Sequence, residues 1–209
     1  MVATEKIFIQ NNENKLEAEI FQSNVGKNKP ITLICHPHPQ YGGNMYNNVV
    51  SGVFNKLIEN NFSCLRFNFR GVGNSSGSHS NGTGELSDVH ACVDFLIKEG
   101  FERILVCGYS YGAAIGCSAV NYSDNIIGFI SISFPWNFMN FYKEKSQTSK
   151  PKLFIQGNRD QVAHIDQFQD NYEHYLDPKE SKIIEGADHF YWGYEEQIAE
   201  EILNFLNKI

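Results

Sequence analysis

The sequence lacks any cluster of basic side chains, and its 17 lysine and arginine residues are outnumbered by 24 aspartate and glutamate residues. The formal net charge of −7 makes nucleic acid and anionic membranes poor partners, because both attract basic patches. No apolar run approaches the roughly 20 residues of a membrane-spanning helix, and the first residues lack the basic-then-apolar pattern of a secretion signal. We therefore expect a soluble cytoplasmic protein that binds neither nucleic acid nor a membrane.

The number and spacing of the cysteines argue against several kinds of site. The five cysteines are scattered over apolar strand-like and helix-like segments, which is typical of buried, reduced thiols rather than of a disulfide framework. No cysteine or histidine spacing resembles a zinc site. The glycine-rich segment 68–77 lacks the G-x-G-x-x-G order of a dinucleotide-binding turn. The sequence therefore predicts neither a metal nor a cofactor.

What the sequence does contain is an alternation of strand-like and helix-like segments. The apolar patterns predict strands at 6–10, 16–21, 31–36, 63–69, 103–107, 126–133, 152–156 and 181–184, and helices at 47–60, 86–97, 111–121, 165–175 and 195–206. This order is typical of a mostly parallel, twisted sheet with helices on both faces, here with an antiparallel strand pair at the N-terminus. We expect residues 1–209 to form a single α/β domain.

The pentapeptide Gly108-Tyr109-Ser110-Tyr111-Gly112 directly follows one of the predicted strands. The pattern G-x-S-x-G between a strand and a helix predicts a sharp turn with the serine at its apex, because the two glycines let the backbone pack closely. Such a turn holds the Ser110 hydroxyl above the sheet, where it can act as a nucleophile. The motif alone is common, so its meaning depends on the rest of the chain.

A serine nucleophile needs a base and an acid that orients the base. Asp160 and His189 each follow a later predicted strand. The carboxyl ends of parallel strands share one edge of a sheet, so we expect Ser110, Asp160 and His189 to meet there. Asp188 is the rival acid, but adjacent side chains of an extended loop point apart. The order Ser, Asp, His along the chain is that of α/β-hydrolases.

An oxyanion formed during acyl transfer requires two preorganised donors beside the nucleophile. The N–H of Tyr111, directly after the serine, is the first candidate. We expect the second donor in the loop after the strand at 31–36, where two prolines remove donors and leave the N–H of His38 as the leading candidate. The N–H groups of Tyr41 and Gly42 remain alternatives.

A short insertion at 134–150 is the only one over the predicted site, so any cap is minimal. It begins with the aromatic segment 134–142. Its side chains could line a substrate pocket, or they could simply close the end of the core. In the pocket interpretation, the lining residues are Tyr41, Phe134, Trp136 and Phe138. The pattern of the segment fits both interpretations, and both are therefore kept.

Taken together, the motifs resemble the small α/β-hydrolase family related to dienelactone hydrolases. The resemblance rests on residues 36–39 (HPHP), 42–43 (GG), 67–73 (FNFRGVG), 108–112 (GYSYG), Asp160 and 186–190 (GADHF). It implies the α/β-hydrolase fold, with Ser110 as the nucleophile, Asp160 as the orienting acid and His189 as the base. Dienelactone hydrolases proper carry a cysteine nucleophile, so Ser110 distinguishes this chain from them.

From the residues and the resemblance we expect a cofactor-independent serine hydrolase, similar to carboxylesterases, that cleaves small acyl esters through an acyl-enzyme. An acyl thioesterase or a peptidase would use the same residues. A hydrolase-fold protein that only binds a ligand is a further alternative, although all three positions of the Ser, Asp and His set are filled.

Overall fold

The computed structural model describes residues 4–27 and 29–209. The strands are β1 (Glu5–Asn11), β2 (Asn14–Phe21), β3 (Ile31–Cys35), β4 (Cys64–Phe67), β5 (Ile104–Tyr109), β6 (Ile126–Ile132), β7 (Lys152–Gly157) and β8 (Lys179–Ile184). The helices are α1 (Asn48–Glu59), α2 (Thr83–Lys98), α3 (Tyr111–Cys117), α4 (Trp136–Met139), α5 (Phe141–Lys145), α6 (Ile165–Tyr172) and α7 (Glu195–Leu206). Within these ranges, no helix has the length and apolar character that crossing a membrane would require.

In the described part of the chain, eight strands form one sheet in the order β1-β2-β4-β3-β5-β6-β7-β8. β1 pairs antiparallel with β2, and β2 pairs antiparallel with β4, whereas the other neighbours are parallel. The predicted fold class is therefore confirmed. The central strands β3 and β5 are buried along their whole length, which explains why their sequences are continuously apolar.

Helices cover both faces of the sheet, and each face has its own apolar core. Side chains of β3 alternate between the two cores, with Leu33 in one and Ile34 in the other. Helices α1 and α7 contact each other and contribute Val53 and Ile202 to the core that contains Ile34. Helices α2 and α3 cover the opposite core, to which α2 contributes Val93. This layering leaves the carboxyl edge of the sheet as the place where the loops converge.

The main departures from the predicted elements lie at their ends. Helix α3 ends at Cys117, where the Ser118 hydroxyl donates to the Ala114 carbonyl one turn back and the following residues form tighter turns. Strand β8 begins at Lys179, before the predicted start at Ser181. Helices α4 and α5 occupy the aromatic segment, in which the apolar pattern predicts no helix. At the carboxyl edge, β4 ends at Phe67 and β5 at Tyr109, each within two residues of the predicted strand end.

Candidate active site

The turn between β5 and α3 places Ser110 at the carboxyl edge of the sheet. The backbone of Ser110 has φ +55°, a left-handed value that residues other than glycine rarely adopt. A Cβ atom on Gly108 would lie 2.1 Å from the Gly112 carbonyl oxygen, and one on Gly112 would lie 2.3 Å from the Cys35 carbonyl oxygen. Glycine is therefore required at both positions, because no side chain fits between the turn, the helix and β3.

Ser110, His189 and Asp160 form one hydrogen-bonded series. Ser110 Oγ lies 2.9 Å from His189 Nε2, and His189 Nδ1 lies 2.8 Å from Asp160 Oδ2. All three are nearly buried, with exposed fractions of 7%, 7% and 2% for Ser110, His189 and Asp160. Because His189 donates from Nδ1 to the carboxylate, its Nε2 is left as an acceptor for the serine hydroxyl.

The carboxylate of Asp160 is surrounded by donors. Its Oδ1 accepts from the backbone N–H groups of Val162 and Ala163 at 2.8 and 2.7 Å, and its Oδ2 accepts from the Ser133 hydroxyl at 2.7 Å. Burial alone would raise the pKa of this carboxyl. The hydrogen bonds from His189, Ser133 and Ala163 outweigh burial and hold the pKa of Asp160 below its ordinary value, so the group is ionised at neutral pH.

The loop that carries His189 is anchored close to the ring. The Tyr109 hydroxyl donates to the His189 carbonyl oxygen. Asp188 accepts from the backbone N–H groups of Phe190 and Tyr191 at 2.9 and 3.3 Å, so its carboxylate is engaged within its own loop. Among the described residues, Asp160 and not Asp188 is the carboxylate bonded to the His189 ring.

The loop after β3 is tied to the loop after β4 through His36. This buried histidine donates from Nδ1 to the Pro37 carbonyl at 2.6 Å and accepts at Nε2 from the Phe69 N–H at 3.0 Å. Burial lowers the pKa of His36 to about 4, so the ring is neutral at pH 7, as accepting a hydrogen bond requires. His36 therefore supports the loop and is not available as a base.

The same loop decides which backbone donors are free. The Tyr41 N–H donates to the His38 carbonyl at 3.1 Å, and the Gly42 N–H donates to the Pro39 carbonyl at 3.2 Å. Within the described ranges, the N–H groups of His38 and Tyr111 donate to no other protein group. Of the donors left open by the sequence, His38 and Tyr111 are the two that remain able to bind a ligand.

The sequence profile of the alpha/beta hydrolase domain family matches residues 33–200. The chain belongs to the α/β hydrolase family. The matched range begins in β3 and ends in α7, so it contains every residue of the hydrogen-bonded series around Ser110. The family assignment and the observed sheet topology therefore agree.

Relatives of this α/β hydrolase share its fold over nearly the whole chain. A solved α/β serine hydrolase homologue from Coxiella burnetii is 31% identical, with a TM-score of 0.88 and a match that covers 96% of each chain. A protein of unknown function from Agrobacterium tumefaciens, described as a candidate α/β hydrolase, is also 31% identical, with a TM-score of 0.88 over 98% of this chain and 95% of that one. An uncharacterised protein of Rickettsia prowazekii is 33% identical over an aligned length of 210. The alignment covers 96% of this chain and 88% of that protein.

The aromatic residues of the pocket interpretation fall into two groups in the hydrolase. Phe134 and Trp136 are each 2% exposed, and their rings stack with centroids 4.0 Å apart inside the core. Tyr41 and Phe138 are 87% and 73% exposed. The pocket interpretation therefore does not fit Phe134 and Trp136, because buried rings offer no surface to a substrate. These two residues close the core, and only Tyr41 and Phe138 face solvent.

Four further side chains lie on the loops of the site, and none of them is among the candidate site residues from the sequence. Phe190 and Trp192 lie one and three residues after His189 and are 56% and 72% exposed. Ser133 and Tyr191 are buried, and their hydroxyl oxygens lie 2.6 Å apart. The position of the two exposed rings next to His189 is a signal that could have identified them. Nothing in the sequence indicates the contact between Ser133 and Tyr191.

Two surface grooves lie away from the site, one between the loops after β3 and β4 and one between β1 and α2. Neither groove is lined by Ser110, Asp160 or His189. Among the described residues, no group of three or more histidine, cysteine, aspartate or glutamate side chains is arranged to hold a metal ion. Neither groove therefore supplies a deep channel at Ser110.

Proposed function

We propose that this protein is a cofactor-independent serine hydrolase, similar to carboxylesterases, that cleaves small acyl esters through an acyl-enzyme. The observation that carries the proposal is the series Ser110–His189–Asp160, with its hydrogen bonds of 2.9 and 2.8 Å. A serine at a strained turn, an imidazole acceptor and a buried carboxylate behind it form the arrangement that acyl transfer needs. The Coxiella burnetii relative is called a serine hydrolase homologue, which supports the same class.

Each member of the series has one role in the proposed reaction. Ser110 Oγ attacks the ester carbonyl while His189 Nε2 takes the serine proton. The tetrahedral intermediate then collapses, the bond to the alcohol oxygen breaks, and His189 returns the proton to the leaving alcohol. Water attacks the acyl-enzyme by the same route and releases the acid and Ser110. Asp160 stabilises the His189 cation, because its carboxyl is ionised when the proton moves.

The backbone N–H groups of Tyr111 and His38 are the proposed donors to the oxyanion. Tyr111 follows the nucleophile directly, and its ring packs against the His38 ring with centroids 4.6 Å apart. The two loops are therefore in contact beside Ser110, and both N–H groups are unoccupied within the described residues. Donors fixed in this way stabilise a developing oxyanion without reorganising during the reaction.

Labelling with a fluorophosphonate tests this proposal directly. The reagent should modify Ser110, identified by mass spectrometry of the labelled peptide, and should abolish hydrolysis of p-nitrophenyl acetate in proportion to labelling. Parallel assays with acyl thioesters and peptide substrates distinguish an esterase from a thioesterase or a peptidase. The absence of any label on Ser110, or full activity after complete labelling, would favour a protein that only binds its ligand.

Acyl-chain preference depends on how much apolar surface the protein offers beside Ser110. We expect kcat/KM for p-nitrophenyl esters to rise with acyl length only to about four to six carbons, because each buried CH₂ contributes about 0.8 kcal/mol only while the protein can cover it. The exposed rings of Tyr41 and Phe190, which lie against His38 and His189, could cover a short chain, and neither groove extends to the serine. The measurement is kcat/KM from acetate to laurate. A steady rise as far as laurate would instead show a long apolar channel.

A further inference from the structure

Backbone strain singles out two residues beside the proposed nucleophile. Among the described residues, positive φ outside glycine occurs at three asparagines and at Ser110, Ser133 and Tyr191. Asparagine adopts this conformation readily, whereas serine and tyrosine do so at a cost. Strained residues persist where the surrounding structure holds them, and they cluster at functional sites. Because Ser110 belongs to the proposed site, Ser133 and Tyr191 are candidates for a role in it.

Hydrogen bonds connect both residues to the proposed acid. Ser133 Oγ lies 2.7 Å from Asp160 Oδ2 and 2.6 Å from the Tyr191 hydroxyl oxygen. Ser133 and Tyr191 are each 0% exposed, so water does not compete for these bonds. An ionised carboxylate can only accept, so Ser133 donates to Asp160 and accepts from Tyr191. The donor and the acceptor of each of these hydrogen bonds are therefore determined.

The series of hydrogen bonds ends in the loop that carries the base. Tyr191 lies two residues after His189 in the same loop, and His189 Nδ1 contacts the same Asp160 oxygen that Ser133 contacts. The backbone N–H of Ser133 donates to the Ile155 carbonyl at 2.9 Å, which anchors the series to β7. Hydrogen bonds thus join the ring of His189, the carboxylate of Asp160 and the two hydroxyls across three loops, and the backbone between Tyr191 and His189 connects the two ends of the series.

We propose that Ser133 and Tyr191 are positioning residues for the hydrolytic reaction. They hold the Asp160 carboxylate in line with the His189 ring and limit the basicity of the oxygen that faces it. Without the Ser133 bond, Oδ2 would carry more negative charge and would hold the proton on the imidazole more strongly. This inference rests on the proposed function, because it concerns the acid and base of that reaction.

The other titratable groups around the pair do not obscure its behaviour. Tyr109, Tyr191 and Asp188 are the groups that act on Asp160 or on one another here. Burial raises the pKa of both tyrosines, so they remain protonated donors over the working range of pH. Asp188 is engaged by the amides of its own loop. Tyr109 and Tyr191 therefore keep the same charge across the acid limb of the pH profile.

The test compares Ser133→Ala and Tyr191→Phe with the wild type in ester hydrolysis from mildly acidic to mildly alkaline pH. Ser133→Ala should lower kcat by roughly tenfold, the effect of losing one hydrogen bond to a charged group, with KM nearly unchanged. It should also move the acid limb of kcat/KM to higher pH. Tyr191→Phe should change both quantities in the same direction but by less, because it acts through Ser133.

Two matched variants control for the loss of a buried hydroxyl. Ser131→Ala removes a buried serine hydroxyl of β6 that has no hydrogen-bond partner among the described residues. Tyr175→Phe removes a buried tyrosine hydroxyl bonded to Ser146 at 2.7 Å, the same kind of pair as Tyr191 and Ser133. Both controls should keep the kcat and the acid limb of the wild type.

The possible outcomes separate this inference from the proposed function. A folded Ser133→Ala protein with wild-type kcat and an unshifted acid limb would overturn the positioning role, while fluorophosphonate labelling of Ser110 would still support the hydrolase. If Ser133→Ala does not fold, the kcat and the acid limb of Tyr191→Phe test the positioning role in the same way, because this variant removes only the hydroxyl that bonds to Ser133. An equal loss of kcat in Tyr175→Phe would show a general packing effect and would also overturn the role.

Discussion

Ser110→Ala is expected to lower kcat to roughly 10⁻⁴ to 10⁻⁶ of the wild-type value, as deletions in comparable hydrolytic sites do. The change removes the only oxygen within hydrogen-bond distance of His189 Nε2 among the described residues, so no nucleophile remains. Alanine retains the Cβ atom of serine, so the turn at φ +55° is no more strained than before. Hydrolysis of p-nitrophenyl acetate measures kcat, and circular dichroism with thermal unfolding measures the retained fold.

Ser118→Ala is a suitable control for this variant. Ser118 is a similarly buried serine that follows α3, and its hydroxyl donates to the Ala114 carbonyl rather than to His189. We expect this control to keep wild-type kcat. Retention of about a tenth of the activity in Ser110→Ala would mean that another group attacks the ester.

The second large effect concerns the acid. Asp160→Asn is expected to lower kcat by about 10⁴, because an amide NH₂ that faces Nδ1 favours the wrong tautomer of His189. In that tautomer Nε2 carries the proton and cannot accept one from Ser110. In the variant, the new amide would face the same donors that bind the carboxylate in the wild type. The measurement is kcat for a short-chain ester at a pH above the acid limb.

Asp188→Asn is the matched control, because it makes the same change in the neighbouring carboxylate. Asp188 Oδ1 accepts only from the amides of Phe190 and Tyr191 among the described residues, and an amide oxygen can also accept those bonds. We expect a far smaller loss of kcat. If Asp188→Asn proved the more damaging change, the acid would be Asp188 and the roles in the proposed reaction would have to be reassigned.

Much of the fold and of the candidate site was predictable because it depends on local signals. The turn at Ser110 requires glycine at 108 and 112, so it is visible in a pentapeptide. Asp160 and His189 each follow an apolar strand, and parallel strand ends meet at one edge of a sheet. Their order along the chain was therefore enough to bring Ser110, Asp160 and His189 together without any knowledge of side-chain contacts.

The features that could not be predicted depend on packing between distant segments. Trp136 and Phe138 have the same aromatic character, and only the fold decides that one ring is buried and the other exposed. The choice of the His38 N–H over that of Tyr41 depends on a turn that occupies the Tyr41 N–H. Ser133 and Tyr191 are 58 residues apart, and no periodicity connects two hydroxyls over that distance.

The order of the strands also has a consequence for synthesis. Strands β5, β6, β7 and β8 are neighbours in the sheet in the same order as in the chain, and Ser110 precedes His189 by 79 residues. A ribosome-bound chain that ends between residues 160 and 189 contains Ser110, its turn and Asp160, but not His189. The edge strand β8 is the last strand to be made and leads directly into the loop that holds His189. The proposed hydrolysis therefore cannot begin during translation before the loop after the final strand has been made.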